Sequence, residues 1–293
     1  MEGRKLLFVL NPIAGRKGKD EFLYLSGKYC ALHNITHINY STRGDQSDEQ
    51  AIREVIGTYH PDAVIAVGGD GTVNLVAKLL IHYPVPMGIV PVGSSNGLAK
   101  DLGIPEDIIQ ALDLIRRYKI HSIDALKVNG IYSFHVADLG YNAKVVNRFA
   151  KSVVRGKISY TWFGLQELFS YKPFTYTIET EQMVVKGSAF MLTMTNVNRF
   201  GNNVNINPLG DHDDGYFEIS ILKPFTVLSS PLVMYHLLSN SIHNSRFNRV
   251  IRCRKAVIKT QNCDSFHIDG EPIAMQDSID VSIVPRGLRI IVP

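Results

Sequence analysis

Cysteine is scarce in this 293-residue sequence: Cys30, Cys253 and Cys263 are an odd number, with no metal-ligand spacing between them. That excludes a disulfide scaffold and makes a reduced, cytosolic setting the expectation. Long apolar runs are also lacking. The longest, Phe225–Leu238, is broken by Ser229, Ser230 and Pro231 and falls short of the about 20 residues a membrane-crossing helix needs. No signal peptide is expected either, because Met-Glu-Gly-Arg-Lys leads straight into a strand. There is no internal repeat and no low-complexity linker. The net charge of +4 is mild, so no nucleic-acid partner is expected, while an anionic cosubstrate or an acidic membrane surface would suit it. What remains, 45% hydrophobic and 20% charged, is the composition of a globular protein long enough for two domains.

Familiar phosphate-binding signatures are missing too. A dinucleotide G-x-G-x-x-G begun at Gly69 meets Asn74 where it needs glycine. A Walker loop ending at Gly18-Lys19 meets Ile13 and Asp20 at its other fixed positions. Neither His-Arg-Asp nor Asp-Phe-Gly of the protein kinases occurs.

In their place stands Gly68-Gly69-Asp70-Gly71-Thr72-Val73-Asn74, after the apolar run Ala63–Val67 and at the start of a helical pattern reaching His82. Glycines allow backbone N–H groups to approach an anion closely, and a helix N-terminus adds about half a positive charge. Asp70 would stand within reach of a magnesium ion or a reacting hydroxyl. A tight strand-to-helix turn would need the glycines, but neither the acid between them nor the hydroxyl that follows.

Short strands alternate with helical patterns through the first 125 residues, which predicts a parallel sheet covered on both faces. Ligands of such sheets bind beyond the carboxyl ends of the strands. Three strand ends carry suitable loops: Asn11-Pro12-Ile13-Ala14-Gly15, Gly68–Thr72, and Pro91-Val92-Gly93-Ser94-Ser95-Asn96. Thr42, after the second strand, is a ribose-side hydroxyl or a plain turn residue, and Asn11, Ser94 and Asn96 taken singly are equally readable as helix caps. After Ile123 strand-like segments dominate, among them 132–137, 279–284 and 288–292, joined by Gly, Pro, Asn and Asp turns, with helical insertions near 143–154, 159–171 and 231–239. The expected architecture is therefore an α/β nucleotide-binding domain over 1–124 and a β-sandwich over 125–285.

Two acidic clusters lie in the second part. Asp211 and Asp214, with the main-chain carbonyl of Tyr216, offer the oxygen donors that Mg²⁺ takes, or they form an acidic turn that needs no ion. Asp269-Gly270-Glu271 is a general-base element if a carboxylate comes within about 3 Å of a hydroxyl, and otherwise a common turn. His121, His135 and His267 read as packed or surface residues, and Trp162, among Tyr160, Phe163, Leu165 and Leu168, as core or as the wall of an apolar cleft for a greasy substrate. Arg148, Lys151 and Arg155 recur at helical spacing beside Val146, Phe149 and Val153, as a basic amphipathic patch or a solvated helix face.

Taken in order, these motifs resemble the diacylglycerol kinase catalytic family, which also holds bacterial lipid kinases, sphingosine kinases and ceramide kinase. Asn-Pro-x-x-Gly, Gly-Gly-Asp-Gly-Thr, a Pro-x-Gly-Ser-x-Asn loop before Leu102-Gly103-Ile104-Pro105, Asp-x-x-Asp-Gly-Tyr and Asp-Gly-Glu span nearly the whole chain. The resemblance implies an ATP-dependent lipid kinase, most readily of diacylglycerol, whose final strand, near 286–293, returns to the first domain. ATP would lie across Asn11, Pro12, Ile13, Ala14, Gly15, Thr42, Gly68, Gly69, Asp70, Gly71, Thr72, Val73, Asn74 and Ser94. Asp211, Asp214 and Tyr216 would hold Mg²⁺. Glu271 would accept the proton, with Asp269 and Asp70 assisting. A cytoplasmic protein, peripheral at the inner membrane face, is implied, and a homodimer is allowed. Two positions depart from the family: Leu75 stands where many relatives carry Glu, and Gly93-Ser94-Ser95-Asn96-Gly97 replaces Gly-Thr-x-Asn-Asp. The rival readings are an NAD-kinase-like enzyme of a soluble substrate and a non-catalytic nucleotide or lipid binder.

Overall fold

The computed structural model describes residues 3–12, 16–152, 157–196 and 210–293. The chain divides into two compact units, Met1–Ile123 with Arg286–Pro293, and Asp124–Pro285.

In the first unit the elements run β1 (Lys5–Leu10), α1 (Arg16–Leu32), β2 (Thr36–Ser41), α2 (Ser47–Tyr59), β3 (Ala63–Gly68), α3 (Asp70–Leu80), β4 (Met87–Pro91), α4 (Gly97–Asp101) and α5 (Ile108–Arg117). The strands pair in the order β2-β1-β3-β4, all parallel. Every residue of β3 and β4 is buried, which is why these segments read as continuous apolar runs without alternation. Leu6, Phe8, Leu10, Ile65 and Val67 form one core with Phe22 of α1, with Leu112 and Ile115 of α5, and with Ile291 near the C-terminus. Ile290 pairs with Met87 of β4.

The second unit holds β5 (Ile120–Val128, which starts before the boundary), β6 (Ile131–Ser133), β7 (Ala137–Gly140), α6 (Tyr141–Lys151), α7 (Lys157–Ser170), β8 (Phe174–Thr180), β9 (Val184–Ala189), β10 (Met191–Thr195), β11 (Phe217–Leu222), α8 (Ser230–Leu238), β12 (Asn248–Cys253), β13 (Lys255–Gln261), β14 (Phe266–Ile268), β15 (Glu271–Ile273) and β16 (Ile279–Ile291, which ends in the first unit). One antiparallel sheet runs β12-β11-β10-β7-β14-β15. The other joins β13 to β16, β8 and β9. Leu139, Leu192, Phe217, Ile219 and Phe266 of the first sheet share a core with Phe174, Ile178, Ile258 and Val281 of the second, as in a β-sandwich. Burial pushes the thiol of Cys253 up to about 12 and that of Cys263 to about 11, so both stay protonated packing groups.

Several boundaries differ from the sequence reading. Residues 132–137 read as one strand, but β6 stops at Ser133 and β7 restarts at Ala137. The segments at 279–284 and 288–292 fall in the single strand β16, within which Arg286 has a positive φ of 51°.

Candidate active site

Because β1, β2, β3 and β4 are parallel, their carboxyl ends lie along one edge of the first unit's sheet: Leu10 pairs with Ser41 and Val67, and Gly68 pairs with Pro91. The loops that follow are stitched to each other by their backbones. Asn11 N–H donates to the carbonyl of Val67, Thr42 N–H to Leu10, and Val92 N–H to Gly68. Asn11, Pro12, Thr42, Gly68–Asn74 and Ser94 thus share that edge, while Ile13, Ala14 and Gly15 fall outside the described residues.

The glycines are fixed there by contact. A Cβ added at Gly93 would stand 2.3 Å from Gly69 Cα, and one at Gly68 would stand 2.3 Å from the Thr72 hydroxyl oxygen. The loops after β3 and β4 therefore touch main chain to main chain, which no other residue type allows. Asp70 opens α3, and its carboxylate accepts a 2.6 Å hydrogen bond from Gly97 N–H. At position 97 this chain gives Asp70 a backbone donor and no second carboxylate. Asn96 stands at the N-cap position of α4, but its side chain makes no cap hydrogen bond. It sits at φ 54°, its amide accepts from Gly93 N–H (3.1 Å) and donates to Gly93 carbonyl (2.9 Å), and so it braces its own loop. Leu75 is half-buried on α3, and Ser94 is exposed.

An acid that sequence reasoning passed over shapes the loop after β2. The buried Asp48 carboxylate accepts from Arg43 N–H (2.9 Å), Gly44 N–H (2.8 Å) and Tyr40 O–H (2.8 Å). Burial alone would raise its pKa, but these donors outweigh burial and hold it below the usual carboxylate value. Asp48 thus fixes the backbone that presents Thr42.

In the second unit, Asp269-Gly270 is the two-residue turn of the hairpin β14–β15, and both residues have positive φ (49° and 84°), as a type I′ turn requires. The Asp269 carboxylate is fully engaged. It accepts from Ser133 O–H (2.8 Å), Phe134 N–H (3.0 Å), His135 N–H (3.1 Å) and Val136 N–H (2.9 Å). These bonds interrupt the strand that the sequence predicted across 132–137. Glu271, the first residue of β15, is exposed. Beneath the turn, Gly270 N–H donates to His267 Nδ1 at 3.2 Å, so the ring carries its proton on Nε2 and gives it to buried Asp138 at 3.0 Å. Asn142 donates to the same Asp138 oxygen at 2.7 Å. The packed role read for His267 is the role it has.

Around residues 211–216, Asp124 holds the loop from both sides. Its carboxylate accepts from Gly215 N–H at 2.7 Å and its own N–H donates to His212 carbonyl at 2.7 Å. Asp214 accepts from Tyr216 N–H at 2.9 Å and pairs with Arg252, whose guanidinium lies over the Tyr216 ring. Asp211 is exposed. Among the described residues no group of three His, Cys, Asp or Glu side chains could hold a metal ion. Two carboxylates and a carbonyl still fit Mg²⁺ in donor chemistry, since that ion usually keeps several waters or phosphate oxygens.

One surface expectation needs correction. Trp162 is not core: it is 58% exposed. In the basic patch, Arg148 is tied to the buried Glu167 of α7 at 3.0 Å and lies over the Phe163 ring, while Arg155 and Val153 fall outside the described residues.

A parallel-sheet edge with this glycine-tight acidic turn is suited to bind phosphate, and comparison with known proteins makes the class specific. The diacylglycerol kinase catalytic domain family matches residues 5–128, and the YegS C-terminal NAD kinase beta sandwich-like domain family matches residues 135–292. The chain belongs to this lipid kinase family, whose members are phosphotransferases with an alcohol acceptor. It is 27% identical over 301 residues to the diacylglycerol kinase of Bacillus subtilis, covering 99% of this chain and 97% of that one. It is 28% identical over 241 residues to the "Probable lipid kinase YegS" of Salmonella arizonae, covering 79% and 78%. A crystal structure of a diacylglycerol kinase from Bacillus anthracis superposes with a TM-score of 0.74 at 18% identity, covering 99% and 97%. An NAD kinase from Archaeoglobus fulgidus in complex with ATP superposes at 0.53 and 11%, covering 98% and 93%.

Proposed function

We propose that this protein transfers the γ-phosphate of ATP to a hydroxyl of a membrane lipid, with diacylglycerol the favoured acceptor. The observation that carries the reading is the strand-end contact of Gly69 with Gly93 beside Asp70, in a chain of the lipid kinase family. Phosphoryl transfer asks chiefly for positioning and charge neutralisation. Backbone N–H groups of Gly69–Gly71, where α3 opens, would supply both to a triphosphate, because the opening N–H groups of a helix have no partners within it. Asn11, Pro12, Thr42, Val73, Asn74 and Ser94 would line the rest of the nucleotide, with Ile13, Ala14 and Gly15 included by resemblance. Asp211, Asp214 and the Tyr216 carbonyl would hold Mg²⁺, which supplies neutralisation of phosphate charge when bound.

The motif favours Glu271 as the proton acceptor, and the engagement of its neighbour supports that reading: Asp269 accepts four hydrogen bonds from the Ser133–Val136 turn, which suits it to position the hairpin. A correctly placed carboxylate base contributes typically 10²–10⁴-fold to rate. The NAD kinase fold likeness keeps one rival worth a direct comparison.

The test is a transfer assay with radiolabelled ATP, offered a total lipid extract, dispersed diacylglycerol or NAD, with products identified by mass spectrometry. Label in a phosphorylated diacylglycerol is expected. Label in NADP, with none in the lipid phase, would replace this reading with its rival.

A further inference from the structure

Among the described residues, six of the second unit's ten exposed large apolar side chains lie close together in the chain, with Met183 and Val184 elsewhere. Val227, Leu228, Leu232, Met234, Tyr235 and Leu238 all fall within a single short segment that includes α8, and Leu228 is 93% exposed. The opposite side of the helix already has its core, since Val233 and Leu237 pack with Phe190, Leu222 and Phe247. A helix apolar on both sides, with one side open, marks an interaction surface. The neighbouring helix α7 extends it: Leu168 packs into the same cluster, while Trp162 and Leu165 are exposed.

The chain segment that carries α8, residues 219–263, contains seven Lys and Arg and no Asp or Glu, and of these Arg252 and Lys259 pair with Asp214, Glu218 and Glu179 of other segments. Lys223, before α8, and Arg246, after it, stand together and are both exposed, with Lys223 Nζ on the Arg246 carbonyl at 3.1 Å and Lys223 N–H on Phe247 carbonyl at 2.8 Å. A second copy meeting this face about a two-fold axis would set cation against cation, with no acid in the segment to pair them. An apolar surface carrying Trp and Tyr and edged by cations fits instead the interface of a bilayer with acidic headgroups.

We propose that α8 and the exposed side of α7 dock this protein on an acidic lipid bilayer, with Leu228, Met234, Tyr235 and Trp162 entering the interface and Lys223 and Arg246 meeting the headgroups. The proposal rests on the lipid kinase reading, because only a bilayer-resident acceptor requires such docking. Leu228 and Tyr235 lie outside the residues assigned to nucleotide, Mg²⁺ or proton transfer, so exchanging them leaves that chemistry in place.

The experiment is vesicle co-sedimentation of the full chain without ATP, on phosphatidylcholine with and without phosphatidylglycerol. It compares wild type, the double variant Leu228→Glu/Tyr235→Glu, and the charge-reversed Lys223→Glu/Arg246→Glu. Transfer to a short-chain diacylglycerol in detergent is measured on the same preparations. Binding is expected only with phosphatidylglycerol, weakened at least about tenfold in each double variant, since each surface cation and apolar anchor contributes separately. Detergent-phase transfer should stay within about twofold of wild type, the ordinary reach of exposed substitutions. Equal vesicle binding by all three proteins overturns the proposal. So does a dimer in sedimentation velocity that Leu228→Glu/Tyr235→Glu dissociates, if vesicles are not bound. Docking that holds while no lipid is phosphorylated supports the surface and counts against the kinase substrate instead.

Discussion

At the level of single residues, the two acids of Asp269-Gly270-Glu271 differ in environment. Both are carboxylates at a hairpin turn, yet Asp269 accepts from four donors of the Ser133–Val136 turn while Glu271 is exposed. Sequence alone could not divide them, because the partners of Asp269 lie more than 130 residues away along the chain. The same distance hides the Asp138–His267 contact that supports the turn from below. Replacing Asp269 by Ala would strip the acceptor from three backbone N–H groups. Leaving buried donors unpaired costs about 1–3 kcal/mol each, so a loss of at least that size is expected in urea unfolding. An unchanged unfolding midpoint would show that the carboxylate does not hold this turn.

At the level of elements, the loops that the sequence marked most clearly are those whose residues act on near neighbours. Gly68-Gly69-Asp70-Gly71-Thr72 is legible because a strand end, a tight turn and a helix start each leave a residue signature within a few positions. The close approach to Gly93 is not legible, since it joins two loops about two dozen residues apart. Gly93→Ala should therefore destabilise by the about 1–3 kcal/mol typical of overpacking and weaken ATP binding with it, measured by thermal unfolding and calorimetric titration. A fully stable variant with native ATP affinity would mean that the two loops need not touch. Asp48 gives the second element-scale prediction. Its folded pKa lies below the unfolded value, so its stabilisation is present above about pH 4 and is lost as pH falls through the folded value. Asp48→Asn should thus be less stable than wild type at neutral pH, and the two should converge in acid. A stability gap that persists unchanged at low pH would contradict that assignment.

For the whole molecule, the fold class was legible because hydrophobic patterning changes near residue 124: buried parallel strands read as apolar runs, and sandwich strands as short segments between turns. The surface was not. Trp162 and the apolar segment around α8 look like core by composition, and only packing shows that they are exposed. Likewise, within the stretch at 148–155, readable as a basic patch or a solvated face, Arg148 pairs with Glu167 of the next helix, a partner the sequence pattern does not show.

The most direct test of the account pairs two readings on Glu271→Gln: ATP affinity by calorimetry, and transfer of labelled phosphate to dispersed diacylglycerol. Native ATP affinity with transfer reduced by about 10²–10⁴-fold is the predicted result. Transfer at the wild-type rate would contradict it, and so would wild-type protein that binds no ATP.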